Sequence, residues 1–195
     1  MGDPQISYNT MNRRHLLSCL VGGAFGAGCL DTGARSGGGA VDESAYDVSP
    51  FPPALVPQPS LPERHPVAIH VRSHSAAQQA FDTEPLSEPA QSHAETFLEA
   101  TNFEEETLYY VQTRAPDSCY GIRVTALEWQ TATELTGAII SEDHSEPDEE
   151  CATVVTTPSV LLRVRGDPNP PAQATFDVTD GWEETETVTT IQVDA

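Results

Sequence analysis

The run Arg13-Arg14-His15-Leu16-Leu17-Ser18-Cys19-Leu20-Val21-Gly22-Gly23-Ala24-Phe25-Gly26-Ala27-Gly28-Cys29 sets two adjacent cations ahead of a short apolar stretch that ends on a cysteine. In such a targeting segment the positive charge stays on the cytoplasmic side while the apolar part enters the membrane. The stretch Leu16 to Gly28 is too short to cross a hydrocarbon core of about 30 Å as a helix, which takes roughly 20 apolar residues. Residues 1–28 therefore read as a signal segment, and the chain downstream of it folds outside the cytoplasm, where disulfides persist. That constrains the fold directly: with Cys19 inside the segment and Cys29 at its end, Cys119 and Cys151 are left as a pair. Their bridge closes a loop of about 33 residues and contributes roughly 3 to 4 kcal/mol on the chain-entropy model. A metal or catalytic thiol needs further ligands or a paired base, and the sequence holds no CxxC or Cys-His motif.

Small residues, Gly26-Ala27-Gly28, precede Cys29 as a signal peptidase requires, and this arrangement resembles the lipobox of twin-arginine-exported lipoproteins. The resemblance implies that Arg13 and Arg14 form the export signal. It also implies that Cys29 carries the lipid, becomes the mature N-terminus and holds the protein on the outer face of the cell membrane. An ordinary cleaved signal, or an uncleaved anchor with an incidental cysteine, is the alternative. Met11, just ahead of the arginines, offers a second start site.

Thirty acidic residues face nine basic ones, all arginine, for a formal charge of -21 on 195 residues. Such self-repulsion opposes compaction in dilute buffer, whereas at molar salt the screening length falls to about 3 Å and most of it vanishes. The acids run from Asp31 to Asp194 rather than in one block, and with lysine absent the composition resembles that of extremely halophilic archaea. Nucleic acid and anionic headgroups are poor partners for a chain with no basic patch.

Along the mature chain, residues 29–66 read as a Gly/Pro-rich disordered stalk: Gly37-Gly38-Gly39, then Pro50, Pro52, Pro53, Pro57, Pro59, Pro62 and Pro66. Residues 67–182 read as a β-rich domain. Val67 to Arg72 alternates like a strand, Ser75 to Phe81 forms one or two helical turns capped by Ser75, and Pro89 to Ala100 carries Ala90, Ala94, Phe97 and Leu98 at helical spacing. Thr107 to Thr113 is a strand, Tyr120–Trp129 and Glu134–Ser141 make a hairpin, and Cys151–Thr157, Val160–Arg165 and Ala174–Thr179 complete about six strands. Tyr109 and Tyr110 point to opposite faces, so one is expected in the core and one in solvent. Residues 183–195 read as an acidic tail. The predicted fold is mostly β: a small antiparallel β-sandwich or open barrel with one or two short helices.

The segments Phe103–Val111, Cys119-Tyr120-Gly121-Ile122-Arg123-Val124 and Cys151-Ala152-Thr153-Val154-Val155-Thr156-Thr157-Pro158-Ser159-Val160-Leu161-Leu162-Arg163-Val164 resemble the C-terminal domain of PrcB-type protease-complexing proteins. The resemblance covers about 60 to 70 residues, a β-rich length ordinary for one small domain. Here Cys119-Tyr120-Gly121 stands where that family more usually has a double glycine. It implies a noncatalytic domain that binds or modulates another secreted protein, such as a protease.

Catalytic signals are absent from the sequence: no GxSxG elbow and no phosphate-cradling glycine loop. His70 and His74, with His65 nearby, are candidate zinc or copper ligands if the strand extends that far, although exposed, unrelated histidines are the commoner case. The acidic run Glu142–Glu150 lacks the glycine and the spacing of a calcium loop. Trp129 and Trp182, beside turns, either cover the core or serve as contact anchors. The reading is thus a lipid-anchored, salt-adapted binding or accessory module at the cell surface, without cofactor, whose partner is another surface or secreted protein. A regulator of a secreted protease and a metal-dependent hydrolytic enzyme are the alternatives.

Overall fold

The computed structural model describes residues 39–51, 66–166 and 170–193. Arg13, Arg14, Cys29, His65 and most of the expected stalk lie outside them. Among the described residues ten strands and two α-helices are formed: β1 (Gly39–Ala40), β2 (Tyr46–Pro50), β3 (Val67–Val71), α1 (His74–Ala80), α2 (Glu88–Glu99), β4 (Glu106–Gln112), β5 (Tyr120–Trp129), β6 (Glu134–Asp143), β7 (Ser159–Arg165), β8 (Gln173–Thr179), β9 (Thr185–Thr189) and β10 (Ile191–Val193). They build two five-stranded sheets, ordered β1-β5-β6-β8-β9 and β10-β3-β4-β7-β2. The expected β-sandwich with two short helices is present.

Most pairings are antiparallel, but each sheet holds one parallel pair, β6 with β8 and β3 with β10. The route of the chain explains the first. After β6 it crosses to the other sheet as β7 and returns as β8, so two strands of one sheet run the same way.

Alternating β-branched and aromatic residues in β4, Thr107-Leu108-Tyr109-Tyr110-Val111, suit a strand covered on both sides. One face, with Tyr109, Val111, Leu162 and Val164, packs against Leu127, Leu135, Ile139, Phe176 and Val178 of the other sheet. The opposite face, with Ile69, Val71, Leu108, Tyr110 and Leu161, is covered by Ala76, Ala77 and Ala80 of α1, by Ala94, Phe97 and Leu98 of α2, and by Phe51 and Phe81. Tyr109 and Tyr110 are accordingly both 0% exposed, and the expectation of one solvent-facing tyrosine fails because the helices form a third layer. Burial pushes the Tyr110 hydroxyl up to about 12 and raises that of Tyr109 still further.

Helix α1 is capped by Ser73, whose hydroxyl accepts from the Ala76 N–H at 3.0 Å, and not by Ser75. A proline in its first turn starts α2, where no N–H is missed.

Three boundaries differ from the sequence reading. Within the expected stalk, β2 pairs with β7 over Tyr46↔Val164 to Pro50↔Val160, and Val41 and Phe51 are buried. Burying these apolar side chains outweighs the glycine and proline content around them. Within the expected tail, β9 pairs with β8, and β10 lies beside β3 with Val193 buried. Cys151–Thr157 is a loop rather than a strand, with a single bridge between Thr156 and Ala115, because the disulfide and side-chain bonds hold it instead of a ladder.

Candidate functional site

Three loops meet at the end of the sandwich where β5 begins: residues 113–119, 144–158 and 180–184. Ala115 and Thr156 exchange backbone hydrogen bonds of 3.0 and 2.9 Å, and Ser118 N–H donates to the Ala152 carbonyl at 3.2 Å. Ser118 Oγ accepts from Ala152 N–H at 2.8 Å, and Thr156 Oγ1 donates to the Asp117 carbonyl at 2.6 Å. The Cys119–Cys151 disulfide joins the same two segments, with the Cα atoms 5.5 Å apart, as the sequence reading expected.

On the other side of residues 114–116, Gly181 N–H donates to the Arg114 carbonyl at 2.9 Å. The approach is so close that a Cβ on Gly181 would lie 2.6 Å from Pro116 Cδ and 2.8 Å from Ala115 Cα. Buried Asp180 Oδ1 then accepts from the amides of Trp182 at 2.9 Å and Glu184 at 3.1 Å. The Arg114 guanidinium lies 5.6 Å from the centre of the Trp182 ring and 3.9 Å from Asp180 Oδ2. Glu183 completes the turn with φ 66°. Trp182 is thereby fixed on a rigid turn while 45% exposed. Gly181→Ala is expected to cost about 1 to 3 kcal/mol, since backbone has to move to admit the methyl group. Glu183→Gly should instead stabilise by about 1 kcal/mol, because glycine adopts positive φ freely. Denaturation midpoints of the two variants, taken at one salt concentration, check both signs.

Val154 and Val155, on the bridged loop, are 58% and 61% exposed, an unusual pair of apolar side chains to leave in water at the same end of the sandwich as the Trp182 turn. Behind the loop a cleft of about 440 Å³ is lined chiefly by Pro50, Phe51, Tyr120, Ile122 and Pro158. It is lined also by His144, whose ring covers Gly121 and lies 3.2 Å from Glu142, to which Arg123 donates two 2.7 Å hydrogen bonds. That guanidinium holds the Glu142 carboxyl below the usual carboxylate range. Ser159 lines the cleft too, and its hydroxyl donates to the Phe51 carbonyl. The arrangement offers apolar contact and shape. No family model, curated protein or solved structure matches the chain.

The two tryptophans are not brought together. Trp129 ends β5 opposite Leu135, partly buried against the intersheet core, whereas Trp182 stands with the loops at the other end. The two histidines are also separated. β3 stops at Val71, so His74 heads α1 with its ring edge-on to Phe103 on the helix side, while His70 faces the intersheet core and stacks on Tyr109 at 4.9 Å. His70 Nε2 lies 2.5 Å from Thr107 Oγ1. Two acids of the 142–150 run bond to local backbone, Asp143 accepting from Ser145 N–H and Glu149 from Glu146 N–H, while Glu142 is held by Arg123. Among the described residues no helix is long and apolar enough to cross a membrane.

His70 gives the domain an acid limit. Burial, and secondarily Arg72, lower its pKa from 6.5 to about 4, so the folded state keeps the ring neutral where the unfolded chain already binds a proton. Stability is expected to be whole above about pH 6.5, to fall as pH drops to about 4 and to level off below, a loss of about 3 kcal/mol. His70→Gln should flatten that window. An unchanged slope between these pH values in the variant, read from denaturant midpoints, would assign the loss to other groups.

Proposed function

We propose that the protein is a lipid-anchored extracytoplasmic binding module, exported through the Arg13-Arg14 signal, held by a lipid on Cys29 and presenting the loop end of the sandwich to another surface or secreted protein. The observation that carries the binding role is the exposure of Trp182, Val154 and Val155 on turns that a disulfide and eight backbone or side-chain hydrogen bonds hold in place. Exposed aromatic and aliphatic side chains on rigid turns suit a binding surface, because little conformational entropy is lost when they are covered. The cleft behind the 144–158 loop adds an apolar recess. The acidic composition supports a partner that is neither nucleic acid nor an anionic membrane surface.

Two measurements test the reading separately. Intact mass of the native protein should show a diacylated N-terminus at Cys29, and Cys29→Ser should release the protein from membranes; a soluble native form with an unmodified cysteine refutes the anchor. For the binding role, crosslinking on cells at molar salt should give a discrete adduct that Trp182→Ala and Val154→Ser/Val155→Ser abolish. An adduct indifferent to all three substitutions places the contact elsewhere.

A further inference from the structure

We propose that Asp117, Cys119 and Cys151 form a redox-gated site for a divalent transition metal such as zinc, shut while the cysteines are bridged and opened when the bridge is reduced. The inference is independent of the binding role proposed above. One carboxylate oxygen and the two sulfurs lie within 4.8 Å of one another, and all three residues are only half-buried, so a solute reaches them. Asp117 is held in place by its own loop: Oδ1 accepts from the Cys119 N–H at 2.9 Å, which fixes the carboxylate beside that sulfur.

The bridge is not what brings the two segments together. Ala115 and Thr156 are paired through both backbone groups, Ser118 bonds to Ala152 through both its N–H and its Oγ, and Thr156 Oγ1 bonds to the Asp117 carbonyl. These five bonds flank both cysteines and do not involve sulfur, so the frame outlasts the loss of the disulfide. Tetrahedral zinc with Zn–S bonds of about 2.3 Å needs its two sulfurs roughly 3.8 Å apart. Side-chain rotation supplies that separation while the Cα atoms stay 5.5 Å from each other. Two thiolates and one carboxylate then make three ligands, and a water or a substrate atom fills the fourth position. The nearby carboxylates Glu149 and Glu150 add to the attraction for a cation.

The chemistry balances with a dithiol as reductant. The disulfide accepts two electrons and two protons, the dithiol leaves as its own disulfide, and the incoming cation displaces the two thiol protons. In the laboratory a phosphine serves: it reduces the bridge, takes oxygen from water and ends as the phosphine oxide.

The test uses the full chain at constant high salt, reduced with a phosphine and titrated with Co2+ as the probe. One equivalent should bind with a sulfur-to-cobalt charge-transfer band and strong visible absorption of tetrahedral cobalt, and the oxidised protein should show neither. Asp117→Ala should weaken Co2+ binding about tenfold or more and diminish the tetrahedral absorption, and Cys119→Ser/Cys151→Ser should remove the charge-transfer band. Absence of that band in reduced protein, or an Asp117→Ala variant that binds Co2+ like the parent, overturns the proposal. So does loss of the native circular-dichroism spectrum on reduction alone, because the site depends on the frame surviving.

Discussion

Phe176→Ala is expected to destabilise the domain by about 3 to 5 kcal/mol, the usual cost of emptying a large aromatic site in a closed core. Phe176 is 0% exposed, sits between the two sheets on β8 and meets Tyr109 of the facing sheet edge-on, with ring centres 5.6 Å apart. Collapse around the hole is restricted. The ring lies against Gly137, its paired neighbour on β6, where a Cβ would come within 2.8 Å of both Phe176 Cδ1 and Leu127 Cδ2, so on that side the neighbour has no side chain of its own to swing in. Phe176→Leu, which keeps most of the volume, should cost less, about 1 to 1.5 kcal/mol. Denaturant midpoints at fixed pH and fixed high salt give both numbers. Were the alanine variant within about 1 kcal/mol of the parent, the two sheets would not pack through this residue.

The second large effect is removal of the bridge. Cys119→Ser/Cys151→Ser is expected to lower stability by about 3 to 4 kcal/mol, mainly by freeing a loop closed over a sequence separation of 32 in the unfolded chain. The native state should change little, because the segments on either side keep their own hydrogen bonds. Hydrogen exchange separates the two contributions: protection of the Ala115 and Thr156 amides should fall no further than the global loss requires. A selective collapse of protection there, with the rest of the sandwich untouched, would mean that the bridge stabilises the folded loops directly.

β-Branched, aliphatic and aromatic runs bounded by turn residues made strands such as Tyr120–Trp129 and Val160–Arg165 legible in the sequence. The disulfide came from elimination among four cysteines. What the sequence concealed was partnership. Tyr109 and Tyr110 look like one inward and one outward residue, and only the helices laid over the sheet make both inward. Tyr46–Pro50 sits among glycines and prolines, and its strand exists because β7 offers an open edge more than a hundred residues later. The short β10 reads as part of an acidic end until Ile191, Gln192 and Val193 find β3. At the loop end, Trp182 was visible as a large aromatic beside a turn, whereas Val154 and Val155 read as part of a strand. Their exposure depends on Cys151–Thr157 being detained by the bridge and by Ser118 rather than joining a sheet.

The way the chain enters the sandwich gives the domain a polarity. Gly39 pairs with Trp129, at the far end of β5, and Cys119 immediately precedes Tyr120 at its near end. Ten strand residues separate the two, about 30 Å at the usual rise per residue. If the protein is anchored as proposed above, a pull from upstream of Gly39 would act at one pole and leave the Trp182 turn at the opposite pole as the leading face toward whatever drifts past. Moving the attachment to a lipid or bead from the N-terminus to a residue in the 144–150 turn would invert the particle and mask that face, without altering a single contact inside it.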